Sequence, residues 1–279
     1  MTIYIKNVNI IAQMREEFMD KVYFTKEEFN KLWNKLEYLG KGGEGTRKKL
    51  NKSETIKYLD GPYNDLTETQ INQFIDLKNQ TYLFPYKAFY IDDKLMGYIT
   101  KYSRGKNLIE LSRDNINFDK FISGVKKVEN DCNILSQKGI MTFDILFNIL
   151  YKNGVFHIID TCDYEIVDKD CKELYKDNIS YFNYSLLEFL VKDRFYKFVF
   201  TSKELRELYE EAENGESIIL FLKMLRQRLS EYCDKDVKSV RDAKKAMTLC
   251  HKSVNSSFTI SIKNLLVSIS IPFDAIIIF

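Results

Sequence analysis

Histidine is almost missing from this 279-residue chain: only His157 and His251 are present, far apart. The five cysteines (Cys132, Cys162, Cys171, Cys233, Cys250) are odd in number and scattered, with no C-x-x-C pair. Together these shortages argue against a zinc site and for reduced thiols in a cytoplasmic protein. An excess of charge of one sign is also lacking. Forty-two basic residues balance 40 acidic ones for a net charge of +2, and Arg47-Lys48-Lys49 is the one basic run that stands out, so the chain carries no footprint for nucleic acid. From the sequence, that run is expected on the solvated edge of a strand. Residues 1 to 11 lack the basic start and small-residue cleavage site of a signal peptide. No apolar run is long enough to span a membrane; the last one, LLVSISIPFDAIIIF, is broken by Pro272 and Asp274. A buried terminal strand, a partner-binding segment and a frameshifted end all fit that tail.

What is present is an ordinary globular composition, 45% apolar and 29% charged, enough for one large core or two lobes. Ile3 and Ile5 suggest a short strand. Thr25 followed by Glu28 has capping-box spacing, and Phe29, Leu32, Trp33 and Leu36 supply one helical face. That helix runs into a glycine-dense break, LGKGGEG. Extended runs over 46–50 and 54–59 flank the loop Asn51-Lys52-Ser53. Thr67 caps a further helical pattern through Ile71, Phe74 and Ile75, and strand-like runs 87–91 and 94–102 flank Asp92-Asp93. Beyond Gly105 the chain turns helical, over 118–137 and again over 173–233. The pattern predicts an α+β fold with a sheet-rich front and a helix-rich back, hinged near 102–106. The expected divisions are 1–24, 25–102, 103–235 and 236–279.

Two motifs carry chemistry. Gly40, Gly42, Gly43 and Gly45 would let backbone amides approach a phosphate. With a helix before and a hairpin after, the spacing suits a strand-turn-strand flap over nucleotide phosphates better than a dinucleotide-binding turn. A flap calls for a lysine on the following strand, and Lys57 sits there. The second motif is TFDILFNILYKNGVFHIIDT, an apolar stretch carrying Asp144, Asn148 and Asp160 around a turn at Asn153-Gly154. Two carboxylates and an amide in such a stretch must be satisfied by neighbours or held for a ligand.

In their order along the chain, these features resemble the protein kinase-like superfamily, over residues 38 to about 190. The resemblance implies a two-lobed fold, with an antiparallel sheet in the first lobe and helices in the second. It implies an ATP- and Mg²⁺-dependent phosphotransferase of Ser/Thr protein kinase type, acting on a hydroxyl of a protein or small molecule. Lys57 would anchor phosphates, Asp144 would take the acceptor's proton, and Asn148 and Asp160 would hold magnesium. Thr100 would border the adenine site, and the backbone near Lys101 and Ser103 would bind the base. For the carboxylate partner of Lys57 two candidates stand, Asp76 and Glu68. The chain departs from the family where Thr142-Phe143 replaces His-Arg, where Asp144 to Asn148 is one position short, and where Asp160-Thr161-Cys162 replaces D-F-G with no A-P-E following. A pseudokinase without turnover and a small-molecule kinase are the alternatives these departures raise.

Overall fold

A computed structural model describes residues 20–61, 66–192 and 195–248. The strand expected at Ile3 and Ile5 and the apolar end of the chain lie outside these residues. The fold is α+β. Strands β1 (Asp20–Phe24), β2 (Glu37–Lys41), β3 (Thr46–Lys49), β4 (Glu54–Tyr58), β5 (Lys87–Ile91) and β6 (Lys94–Lys101) form one mixed sheet in the order β1-β5-β6-β4-β3-β2. All neighbours are antiparallel except β1 and β5, which run parallel from Asp20–Lys87 to Phe24–Ile91.

Short-range chemistry sets most of these elements. Thr25 caps helix α1 (Lys26–Trp33), and Glu28 returns a bond to the Thr25 amide, closing the box. Between β5 and β6, Asp92 and Asp93 both take left-handed φ values, 47° and 62°, as a two-residue hairpin turn requires. Two expectations shift. A strand, β2, intervenes between α1 and the glycines, so the flap is β2-turn-β3. The helix capped by Thr67, α2, is only Glu68–Asn72, because residues 73–76 form turns.

After a crossing at 102–105 come β7 (Lys106–Asn107), two short 3₁₀ turns, and helix α3, Phe118–Gln137, the span expected from the sequence. Strands β8 (Ile140–Met141), β9 (Ile149–Lys152), β10 (Val155–Ile158) and β11 (Glu165–Ile166) make two small sheets. Helices α4 (Cys171–Val191), α5 (Tyr196–Thr201), α6 (Lys203–Glu213) and α7 (Ile218–Tyr232) follow, and residues 240–248 are helical. Val237, Val240 and Ala243 are buried against the other helices, which gives residues 236–248 a place in the helical core.

Apolar packing falls into three clusters. Phe29, Ile56, Phe89 and Ile99 form one within the large sheet, with Trp33 of α1 packed against it; Leu59, Ile71, Ala88, Tyr98 and Cys162 form a second. The third and largest, running from Phe74, Tyr82 and Phe84 through Phe118 and Leu229 to Ala243, joins the helices to β9, β10 and the segment before β5.

Buried polar side chains tie these layers at chosen points. Asn178, on α4, is fully buried and spends both ends of its amide. Its Oδ1 accepts from the Thr142 amide at 2.8 Å and the Thr142 hydroxyl at 3.1 Å; its Nδ2 donates to Ser136 Oγ and the Ile140 carbonyl. The segment entering Asp144 is thereby pinned to α3 and α4. Replacing Asn178 by Ala strands buried donors and acceptors, and should cost about 2–4 kcal/mol in urea unfolding. A cost below about 0.5 kcal/mol, the scale of an ordinary surface change, would show that the pin carries little.

Candidate functional site

Strand β4 is the hub. Lys57 lies directly across from Arg47 on β3 and from Tyr98 on β6, so these three side chains form a row on one face of the sheet. All three reach Asp160 Oδ1: Lys57 Nζ in close contact, Arg47 Nη2 at 3.4 Å and the Tyr98 hydroxyl at 3.0 Å. Lys57 also pairs closely with Glu44, from the glycine turn. The carboxylate partners of Lys57 are therefore Glu44 and Asp160, in place of the expected Asp76 or Glu68. Glu68 instead pairs with Lys21 and accepts from the Tyr90 hydroxyl, and Asp76 sits exposed just past α2. The family-like geometry fails here because α2 ends after five residues and brings no carboxylate to Lys57.

Asp160 is positioned by its strand. Ile158, at the end of β10, is paired on one side with Ile149 of β9. On the other it bonds residues 81–83, its amide to the Thr81 carbonyl at 2.7 Å and its carbonyl from the Leu83 amide at 2.8 Å. That segment is itself fixed by buried Asp131 of α3, whose Oδ2 accepts from the amides of Gln80 and Thr81 and from the Thr81 hydroxyl. Asp160 then turns out of the strand with φ at 62°, a left-handed conformation that aspartate tolerates better than most residues.

The loop before it closes compactly despite its missing position. The Asn148 amide bonds the Ile145 carbonyl at 2.9 Å, and Asn148 Nδ2 donates to the Asp144 carbonyl at 2.8 Å and Asp144 Oδ2 at 3.4 Å. The Ile159 amide reaches the Asn148 carbonyl at 3.0 Å, which sets Asn148 beside Asp160. Asp144 is also left-handed, with φ at 46°.

These elements enclose a cleft of about 510 Å³. Gly40, Gly42 and Gly45 line its roof, Lys57, Asn148 and Asp160 one wall, and Lys101 and Ser103 the crossing. Of the residues expected at a site, Gly43 and Asp144 are not in the lining; Asp144 stands beside it through Asn148. Gly45 is required by packing, since a Cβ there would meet the Tyr58 carbonyl at 2.1 Å, whereas one at Gly40 or Gly42 would meet nothing within 4 Å. The bare roof is thus not dictated by the fold. Ser103 Oγ lies 2.9 Å from His157 Nδ1 and accepts from the Gly105 amide at 3.1 Å, fixing the crossing. Five cationic side chains and two carboxylates line the cleft, so it favours an anionic ligand.

The carboxylates differ sharply in their proton affinity. Burial would raise Asp160, but the charges of Arg47 and Lys57 and the bonds from Lys57 and Tyr98 hold it below the usual range. Burial lifts Glu44, assisted by Asp160 and Asp163 and opposed by Lys57. Burial, then the charges of Asp160 and Glu44, lifts Asp144 as well, against the bond from Asn148. Burial also keeps the Cys162 thiol protonated and unreactive.

Among the described residues no group of three His, Cys, Asp or Glu side chains is arranged to hold a metal. A magnesium ion needs fewer protein ligands when phosphates and water complete its shell. The donor set fits that case: all three donors to Asp160 fall on Oδ1, leaving Oδ2, and Asn148 uses its Nδ2, leaving its side-chain Oδ1. Sequence patterning missed Glu44, Arg47, Tyr98 and Asn178. Arg47 was expected in solvent, yet its side chain is 15% exposed and lines the cleft.

The raised Asp144 carboxyl has a consequence for stability. A carboxylate ionised against its surroundings destabilises the fold above its folded pKa, and that penalty fades as pH falls through that value toward the ordinary one. Asp144→Asn, which keeps the left-handed backbone, should be the more stable form at pH 7.5, with the gap to wild type narrowing toward pH 4. Urea unfolding at both pH values checks this; a gap that widens in acid would be the wrong sign. No protein-family model matches the chain and no curated protein matches it, so the functional reading rests on the cleft itself.

Proposed function

We propose that the chain is an ATP- and Mg²⁺-dependent phosphotransferase of the protein kinase-like superfamily, of the Ser/Thr protein kinase type. The observation that carries this reading is the meeting of Lys57, Asn148 and Asp160 beneath a bare glycine roof in one cationic cleft. The largest apolar cluster is built mainly by the helices and the two smaller ones mainly by the large sheet, which is compatible with the two-lobed arrangement such a function needs, although Phe74, Tyr82, Phe84 and Cys162 bridge the two parts. The parallel strand β1 is an addition to an otherwise antiparallel sheet.

In this reading the Gly40–Gly45 turn offers backbone amides to phosphates, and Lys57 supplies the neutralising charge. Asp160 Oδ2 and Asn148 Oδ1 would hold Mg²⁺, which when bound neutralises charge on the transferring phosphoryl group. Asp144 orients the acceptor hydroxyl and accepts its proton, for which a raised proton affinity is suited. The backbone near Lys101 and Ser103 receives the base. Wild type should transfer the γ-phosphate of Mg-ATP, to itself or to an added hydroxyl acceptor, and Asp144→Asn should lose at least about 100-fold in rate. Equal rates in both would remove Asp144 from the mechanism.

One observation favours a pseudokinase, a nucleotide binder without turnover. Lys57 is already neutralised by Glu44 of the roof, where a phosphate would need it. If Glu44 competes with phosphate, Glu44→Gln should tighten nucleotide binding several-fold, read by titration calorimetry. A pseudokinase predicts that gain with no transfer in either form. A thermal shift absent with nucleotide, with or without Mg²⁺, would count against both readings.

A further inference from the structure

We infer that Arg47 is a second polyphosphate-binding cation, acting as a pair with Lys57. This deepens the phosphotransferase reading and rests on it for the identity of the ligand as a nucleotide. Arg47 and Lys57 are directly opposite each other across β3 and β4, on the cleft side of the sheet. The next position along the row, on β2, is Gly40, which leaves the space beyond Arg47 open.

Arg47 is poorly used by the protein. Asp160 Oδ1 receives three donors, more than the two lone pairs of one oxygen can serve well. Arg47 makes the longest of these contacts, 3.4 Å through Nη2, while Lys57 and Tyr98 sit closer. The Tyr98 oxygen also lies beside the guanidinium, but among the described residues no hydrogen bond of ordinary geometry is made by Nε or Nη1, and neither is a buried polar atom without a partner, so both remain accessible. A guanidinium with most of its planar fork unspent, in a cationic cleft, matches the geometry of a phosphate. Asp160 keeps its two closer donors when Arg47 turns toward a phosphate. Two neighbouring cations also suit a chain of linked phosphates better than a single one, so the ligand class is a tri- or diphosphate group.

Inorganic tripolyphosphate is the test ligand, because it carries the phosphates without base or transfer chemistry. Wild type should bind it by titration calorimetry, Arg47→Gln should bind at least about tenfold more weakly, and Arg47→Lys should fall between them. Adenosine binding should be the same in all three. On the wild-type protein, tripolyphosphate should protect Arg47 from phenylglyoxal, read by peptide mass spectrometry; this holds the test open if a variant does not fold. No binding by wild type, equal binding by Arg47→Gln, or no protection would each overturn the assignment. Tripolyphosphate bound through Arg47 without any phosphotransfer would instead overturn the enzyme reading and leave Arg47 in place. An active enzyme whose Arg47→Gln form keeps its KM for ATP would do the reverse.

Discussion

A single carboxylate oxygen, Asp160 Oδ1, gathers side chains from three neighbouring strands. Lys57, Arg47 and Tyr98 stand side by side because antiparallel pairing puts them in register, and Asp160 sits over that row at the end of β10. Lys57 is only 4% exposed. A lysine so enclosed is tolerable only when paired, and Asp160 together with Glu44 of the glycine turn supplies that pairing. Asp160 therefore fixes how the large sheet meets the segment carrying Asp144 and Asn148. The cleft lies along that seam.

The supports behind the seam are polar and local. Asp131 holds residues 80 and 81, which flank β10; Asn178 holds Thr142, two residues ahead of Asp144. Each satisfies several buried donors with one side chain, so each acts as a rivet. Against this rigidity, three acidic side chains crowd one corner. Glu44 and Asp144 are pushed toward the protonated form while Asp160 is held ionised. Carboxylates of opposite tendency gathered beside one cleft work against stability, which is the kind of arrangement the proposed function would use.

Much of this was legible from residue order. The capping box at Thr25, the turn at Asp92-Asp93 and the span of α3 depend on neighbours within a few positions, and local rules reach them. Lys57 stands out as the lysine on the strand after the glycines and Asn148 and Asp160 as polar interruptions of an apolar stretch, and all three line one cleft. The partners of Lys57 lie beyond local rules, because Glu44 reaches it only through the fold of the glycine turn and Asp160 only through contacts distant in sequence, while α2 ends after five residues and its Glu68 pairs with Lys21. Arg47 did leave a signal. A three-residue loop at 51–53 with Leu50 bonded to Glu54 sets Arg47 opposite Lys57. Reading a basic run as a solvated edge hid it, since alternation along a strand sends adjacent residues to opposite faces.

In the proposed reading, where the cleft takes phosphates, the placement of the Lys57 partner changes what binding must do. A carboxylate on a helix behind the sheet would keep its bond to lysine while phosphates arrived from the cleft. Glu44 is carried by the roof itself, and its backbone is tied back to the sheet, with the Glu44 carbonyl accepting from the Gly61 amide at 2.9 Å. Phosphates that take Lys57 must therefore displace a side chain of the same loop that receives them. Loss of one carboxylate contact and gain of several amide contacts then happen on one short segment. Roof position and ligand occupancy become a single equilibrium, whose balance is set by Glu44 against phosphate for the same lysine. Because Glu44 already leans toward protonation, the roof's hold on Lys57 weakens as pH falls, while Asp160, held ionised, keeps the row behind it in register.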